Sequence, residues 1–283
     1  MSNSALIKSS IAKKYWMAVT GLFLCLFLVG HLLGNLQLIM KTGEEGRRAF
    51  NEYAYFMGHN IFIKIMSYIT YASIIFHAVD GILLTIQNKK ARPVNYVYNN
   101  PSANSSLPSR WMALLGSLIL VFIVTHMANF WWKMKISEEI PLHTYKVKID
   151  EKLGQSPDID YYYTHVPSTN PIPKDTAQIE EKGTDLYLKS SNLKLAEGYR
   201  DLHTVVMDFF NPDVNDKALL YLLIYVISMG VLGFHLWHGF ASAFQSLGLN
   251  HAKYNTLIKK AGQGFAVIIP LLFALIPILI FIK

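Results

Sequence analysis

The sequence predicts an all-α membrane protein: a bundle of five transmembrane helices, N-terminus cytoplasmic, with one polar extracytoplasmic insertion between helices 3 and 4. Three observations predict it. Of 283 residues, 52% are hydrophobic and only 16% charged, with a mean hydropathy of +0.26, oilier than a soluble domain of this length. Five apolar stretches each exceed the roughly 20 residues that cross a bilayer core of about 30 Å. Basic residues crowd into alternate loops.

The first stretch, 16–40, reads WMAVTGLFLCLFLVGHLLGNLQLIM. It is too long for a signal peptide and lacks a small-residue cleavage site. The second, third and fourth are IMSYITYASIIFHAVDGILLTIQ (65–87), WMALLGSLILVFIVTHMANFWW (111–132) and ALLYLLIYVISMGVLGFHLWHGFASAF (218–244). The fifth is AGQGFAVIIPLLFALIPILIFI (261–282). Asp80 is the single formally charged side chain within them, and Trp16, Trp111, Trp131 and Trp132 stand at their ends as interfacial aromatics do.

Orientation follows from the short loops. Lys8, Lys13 and Lys14 at the N-terminus, Lys89, Lys90, Arg92 and Arg110 in the second loop, and Lys253, Lys259 and Lys260 in the fourth are accompanied by no Asp or Glu. These segments belong on the cytoplasmic side of the cell's inner membrane, and Lys283 ends outside. The insertion, 133–217, holds 15 of the 19 acidic residues against 11 basic ones, and its centre, SPDIDYYYTHVPSTNPIPKD, is rich in Pro, Tyr and Asp. A structureless loop of that length is uncommon, so a small polar cap of mixed order is expected. The net charge of +7 is then a sum over two opposite faces and does not indicate nucleic acid.

Five of the ten histidines lie inside the spans: His31, His77, His126, His235 and His238. At about 1.5 Å of rise per residue, His31 and His126 lie roughly 22 and 24 Å from the cytoplasmic ends of their helices, His77 and His235 roughly 18 and 15 Å. Two tiers of two result. A haem iron has two axial positions, imidazole is a common ligand for it, and facing helices of a bundle converge on one cofactor. The pattern suggests two b-type haems, one held by His31 and His126 on the outer side, the other by His77 and His235 on the inner. Depth does not separate His235 from His238, which differ by only about 4.5 Å.

Gly30 and Gly34 flank His31, Gly81 follows His77, and Gly230 and Gly233 precede His235. They suit either a flat macrocycle or close helix packing. Asp80, one turn beyond His77, suits either a proton relay or pairing with Lys89, Lys90 or Arg92. Cys25 is the lone cysteine, which excludes a disulfide framework, a paired-cysteine zinc site and covalent haem attachment. Cys25 and the ten methionines read as packing. No Gly-rich nucleotide loop, hydrolase triad or cysteine cluster is present.

With these motifs, TGLFLCLFLVGHLLGN around His31, IIFHAVDGI around His77, VTHMANFW around His126 and FHLWHGFASAFQSLGLN around His235, the chain resembles a known family. It is the single-subunit, five-helix, di-haem cytochrome b membrane anchor of succinate dehydrogenases and fumarate reductases. The resemblance covers all five spans. It implies two haem b groups, a quinone expected to be menaquinone, and two cytoplasmic partners, an iron–sulfur subunit and a flavoprotein subunit that carries the dicarboxylate site. Electrons would run from the clusters through the inner and outer haems to quinone, in the respiratory chain and the tricarboxylic acid cycle.

The family pattern also separates the histidine doublet. The ligand precedes the closing glycine by thirteen residues, as His235 precedes Gly248, which leaves His238 as a neighbour able to reach a haem propionate or simply the interface. Some fumarate-reducing members carry a glutamate two residues before this ligand, implicated in proton movement. Here that position is Gly233, which favours succinate oxidation. The insertion exceeds the family's short loop. Asn35, Gln37, His59 and Asn129 are outer-side candidates for a quinone crevice. The competing expectations are a fumarate reductase anchor, the cytochrome b of a hydrogenase or formate dehydrogenase, and a haem-free ion transporter built on the buried histidines and Asp80.

Overall fold

The structure is a computed structural model that describes residues 9–91, 93–94, 97–98, 100–146, 159–165 and 171–283. Lys8 and Arg92, both counted toward orientation, and segments 147–158 and 166–170 of the insertion lie outside the described residues.

Five helices are long and apolar enough to cross a membrane. They are α1 (Ser10–Met40), α3 (Ile61–Ala91), α4 (Met112–Lys135), α6 (Ala218–Ser246) and α7 (Asn255–Phe281), with the longer non-spanning helices, α2 (Gly43–His59) and α5 (Leu202–Phe210), set between them. The chain is mostly helical, as an all-α bundle requires. Each span runs a few residues beyond its apolar stretch, because polar flanks complete the helix once it leaves the apolar zone.

Several Ser and Thr hydroxyls in the spans are satisfied within their own helices. Thr20 donates to Trp16 O (2.8 Å), Thr70 to Met66 O (2.8 Å), Ser117 to Ala113 O (2.9 Å) and Thr125 to Phe122 O (2.9 Å). This removes the cost of an unpaired donor in hydrocarbon. Large apolar side chains such as Leu26, Phe76, Val121, Ile227 and Ile268 point outward, which a bilayer accommodates and water does not.

α1 packs against α3, α6 and α7, while α6 packs against α1, α4 and α7. The α6–α7 contact is close. A methyl group on Gly233 would stand 3.0 Å from the Ala266 carbonyl oxygen, and that carbonyl lacks its usual donor four residues on because Pro270 has no N–H. The bare α6 backbone approaches the freed oxygen, the geometry in which weak Cα–H···O contacts form.

Two features go beyond the sequence expectations. The first is α2, inside a segment read as a loop. Gly43 starts it at φ +66°, a methyl group on Gly46 would meet Lys41 O at 2.6 Å, and Phe50 is buried on its inner face. The second is the cap, whose order resides in small sheets that an all-α reading does not contain. β1 (Thr144–Lys146) pairs antiparallel with β2 (Asp160–Tyr162). β3 (Ile179–Lys182), β4 (Asp185–Leu188) and β5 (Leu193–Glu197) form an antiparallel meander. Gly183 at φ +68° and Asn192 at φ +50° turn its hairpins. Leu142, Tyr162, Ile172, Ile179 and Leu186 make the cap's own core.

The cap is joined to the bundle through α2 and α5. Arg47 on α2 donates to Asp201 through Nε (3.0 Å) and Nη2 (2.5 Å), and Asn51 Nδ2 donates to the other carboxylate oxygen (2.8 Å). Asp201 caps α5 by accepting from the Thr204 N–H at 3.2 Å. Burial alone would raise the Asp201 carboxyl, but the hydrogen bonds from Arg47, Asn51 and Thr204 hold it down to about 2. Val206 and Phe210 of α5 then bury into one cluster with Leu32, Leu38, Tyr225 and Ile276 of the spans, each worth about 2 kcal/mol of transfer free energy.

Candidate haem-binding sites

The intramembrane histidines meet in two places. His31 on α1 and His126 on α4 lie with ring centroids 5.8 Å apart at an interplanar angle of 87°. His77 on α3 and His235 on α6 lie 6.1 Å apart at 70°. The first pair is at the cap end, between the rings of Phe27 (5.4 Å from His31), Phe273 (5.7 Å from His31) and Phe130 (5.5 Å from His126). The second is nearer the end where the N-terminus and the lysine-bearing loops lie.

The distance between the tiers can be read on three helices. The His77 ring abuts Thr20 and Gly21 on α1, the His235 ring abuts Gly116 on α4, and Tyr225 on α6 contacts His126. His31, His126 and His235 each lie ten or eleven residues from those markers on their own helices, which is about 15–16 Å of helix axis. The tiers are thus stacked along the bundle rather than side by side.

Imidazoles that share one metal at about 2 Å per nitrogen have centroids about 6 Å apart, and both observed separations match that spacing. None of the four Nε2 atoms makes a hydrogen bond among the described residues, whereas Nδ1 faces its own helix or a neighbouring one. His77 Nδ1 lies 3.2 Å from the Met17 carbonyl and 3.4 Å from the Thr20 hydroxyl. His126 Nδ1 lies 3.3 Å from the Tyr225 hydroxyl. His31 Nδ1 lies 3.5 Å from the Asn35 amide, which already donates to the His31 carbonyl at 2.8 Å.

His235 Nδ1 is buried with no hydrogen-bond partner. An interhelical hydrogen bond, the usual structural task of a histidine in a bilayer, therefore does not hold His235 in place. Among the described residues no three His, Cys, Asp or Glu side chains gather as a metal cluster. Axial coordination of haem iron needs only the pairs. The residues fit the group: His31 with His126, and His77 with His235.

Two further glycines lie against the paired rings. A methyl group on Gly21 would stand 3.1 Å from His77 Cε1, and one on Gly116 would stand 3.6 Å from His235 Cε1. Each glycine comes from a helix other than the one carrying its histidine, which is why spacing along one helix could not find it. A methyl group on Gly34 would meet the Tyr53 ring, one on Gly81 would stand 4.0 Å from Met17 Cε, and Gly233 serves the α6–α7 contact.

A π-helical turn, Met127–Trp132, begins directly after His126, a distortion that recurs at functional positions in helices. Asn129 within it donates to the Tyr225 hydroxyl (3.3 Å), and Trp131 donates to the Tyr71 hydroxyl (2.8 Å). Of the outer-side polar candidates, Asn35 and Asn129 border the cap-end pair, and Gln37 sits in the last turn of α1. His59 is elsewhere, exposed at the end of α2 and stacked on Tyr55 at 3.8 Å. Asp80 makes no ion pair with Lys89 or Lys90, and Arg92 lies outside the described residues. His238, three residues beyond His235, is half-buried and makes no hydrogen bond among the described residues. Cys25 is buried against Leu236 and Ala266, a packing role.

Comparison with known protein families, curated proteins and solved structures gave no match to this chain.

Proposed function

We propose that the chain is the di-haem cytochrome b membrane anchor of a succinate:quinone oxidoreductase, passing electrons between an iron–sulfur partner and membrane quinone. The observation that carries this reading is the facing of His31 with His126 and of His77 with His235, at one-iron spacing and at two depths. Haem supplies a one-electron carrier at each tier, and two tiers stacked in a core about 30 Å thick give a relay across it.

The chain's own residues do the holding. Gly21 and Gly116 leave room for the rings of His77 and His235, Met17 O and Thr20 take the far nitrogen of His77, and an aromatic shell keeps water from the cap-end pair. Lys13, Lys14, Lys89, Lys90, Arg110, Lys253, Lys259 and Lys260 belong to the N-terminus and the two loops on that side, a face suited to an acidic docking partner as well as to the cytoplasmic leaflet. Succinate oxidation is favoured because the position of the proton-carrying glutamate is Gly233, where even a methyl group would stand a tight 3.0 Å from the Ala266 carbonyl oxygen.

The test is purification from native membranes, with haem and iron counted per chain and succinate oxidation coupled to quinone reduction measured on the same sample. Two haems, a flavoprotein and an iron–sulfur subunit are expected. Two haems with hydrogenase or formate dehydrogenase activity instead would reassign the partner, and a haem-free chain with ion transport would overturn the reading.

A further inference from the structure

The four paired histidines are supported unequally, and the best-supported one at the cap end is held by a side chain from another helix. The Tyr225 hydroxyl on α6 lies 3.3 Å from His126 Nδ1 and accepts from Asn129 Nδ2 at the same distance. Tyr225 is 9% exposed and enclosed by Phe122 and Phe210, each with ring centroid 5.0 Å away. Hydrogen bonds are stronger in such apolar surroundings than in water. His31 Nδ1 meets only an amide already engaged with a carbonyl, and His235 Nδ1 meets nothing.

We propose that Tyr225 is a positioning residue for the cap-end haem, accepting the Nδ1 proton of His126 and thereby fixing that ring and lowering the reduction potential of that haem. This rests on the di-haem reading above. An imidazole bound to iron through Nε2 carries its proton on Nδ1, and the acceptor of that proton sets the tautomer, the ring orientation and the basicity of the ligand. Asn129 meets the same oxygen as a donor, through Nδ2. The phenol oxygen has lone pairs for both donors. A more basic imidazole stabilises the ferric state, so the potential falls. At the other tier the corresponding acceptors are the Met17 carbonyl and Thr20, so the two haems are tuned by different groups.

The experiment is a redox titration of the full-length protein in nanodiscs, with haem per chain counted first and the cap-end haem identified as the one whose spectrum His126→Ala loses. Tyr225→Phe keeps the ring and removes the acceptor. It is expected to retain both haems, to raise the cap-end potential and shift that haem's low-spin EPR signal, and to leave the other haem unchanged. Asn129→Leu removes the competing donor while keeping Tyr225, so the cap-end potential is expected to move the opposite way. Should Tyr225→Phe lose the cap-end haem, Asn129→Leu decides: a downward shift supports the proposal and no shift overturns it. With both haems retained, an unmoved cap-end potential in Tyr225→Phe, or equal shifts of both haems, overturns the proposal and leaves the di-haem reading standing. A wild-type chain without haem overturns both.

Discussion

His77 on α3 and His235 on α6 face one another with ring centroids 6.1 Å apart, although their helices are not among those in extensive contact. α1 and α4 stand on either side, and each presents a glycine to one of the rings, Gly21 to His77 and Gly116 to His235.

This arrangement predicts that haem loss goes by pair and not by residue. His77→Ala and His235→Ala should each remove the same one of two spectral components, and His31→Ala and His126→Ala the other. Difference spectra of the purified variants, with haem counted per chain, check it. Loss of different components from two members of one pair would break the pairing. His238→Ala should leave both haems bound.

Gly21 predicts a selective packing defect. A methyl group there would stand 3.1 Å from the His77 ring, so Gly21→Val must push that ring aside. The expected result is loss of the His77–His235 haem with the His31–His126 haem retained, at a stability cost of about 1–3 kcal/mol from overpacking.

The Arg47–Asp201 pair predicts how the cap is held. Asp201 has a side chain 4% exposed and Arg47 one 24% exposed. Arg47→Met strands a buried carboxylate, for which about 3–5 kcal/mol is typical, and the partial exposure of Arg47 places the expected cost near the lower end. Limited proteolysis should then cut the 136–217 segment faster while the spans remain protected. Asp201→Asn should cost less, because it removes the buried charge.

Acid should loosen the same junction in two stages. His143 is fully buried, with Nε2 2.9 Å from Glu44 Oε1 and Nδ1 3.2 Å from the Asn51 amide. Burial and then the charge of Arg47 push its imidazole below the usual histidine range, against the pull of Glu44. A lowered folded value means that the unfolded cap binds the proton more readily, so stability is complete above about pH 6.5 and falls as pH drops below it. Asp201, held at about 2, adds a second loss only between about pH 4 and about pH 2. Protease sensitivity of the cap across pH 7.5 to 5 measures the first stage, and His143→Gln should flatten it. An unchanged slope in that variant would remove His143 as its source.

The spans, and the two depths of histidines on four different helices, were legible in the amino-acid sequence because they depend on local properties. Twenty apolar residues must form a helix in a bilayer, and 1.5 Å of rise per residue converts position into depth. Even there the sequence left His235 and His238 apart only by resemblance, since three residues of helix are a small step. The cap was legible as polar and acidic but not as strands, because its core joins Leu142 to Ile172 and Leu186 across turns whose register no short window reveals.

What the sequence by itself determined is therefore the bundle and the height of each histidine within it. Which histidine faces which, the glycines that make room for their rings, the hold of Tyr225 on His126 and the clasp of α2 on α5 were decided by the tertiary structure alone. The physical reason is that rise along a helix is set by the backbone, identical in every helix. Rotation about the axis and the choice of neighbour are set by side chains on other helices, up to 158 positions distant in the case of His77 and His235.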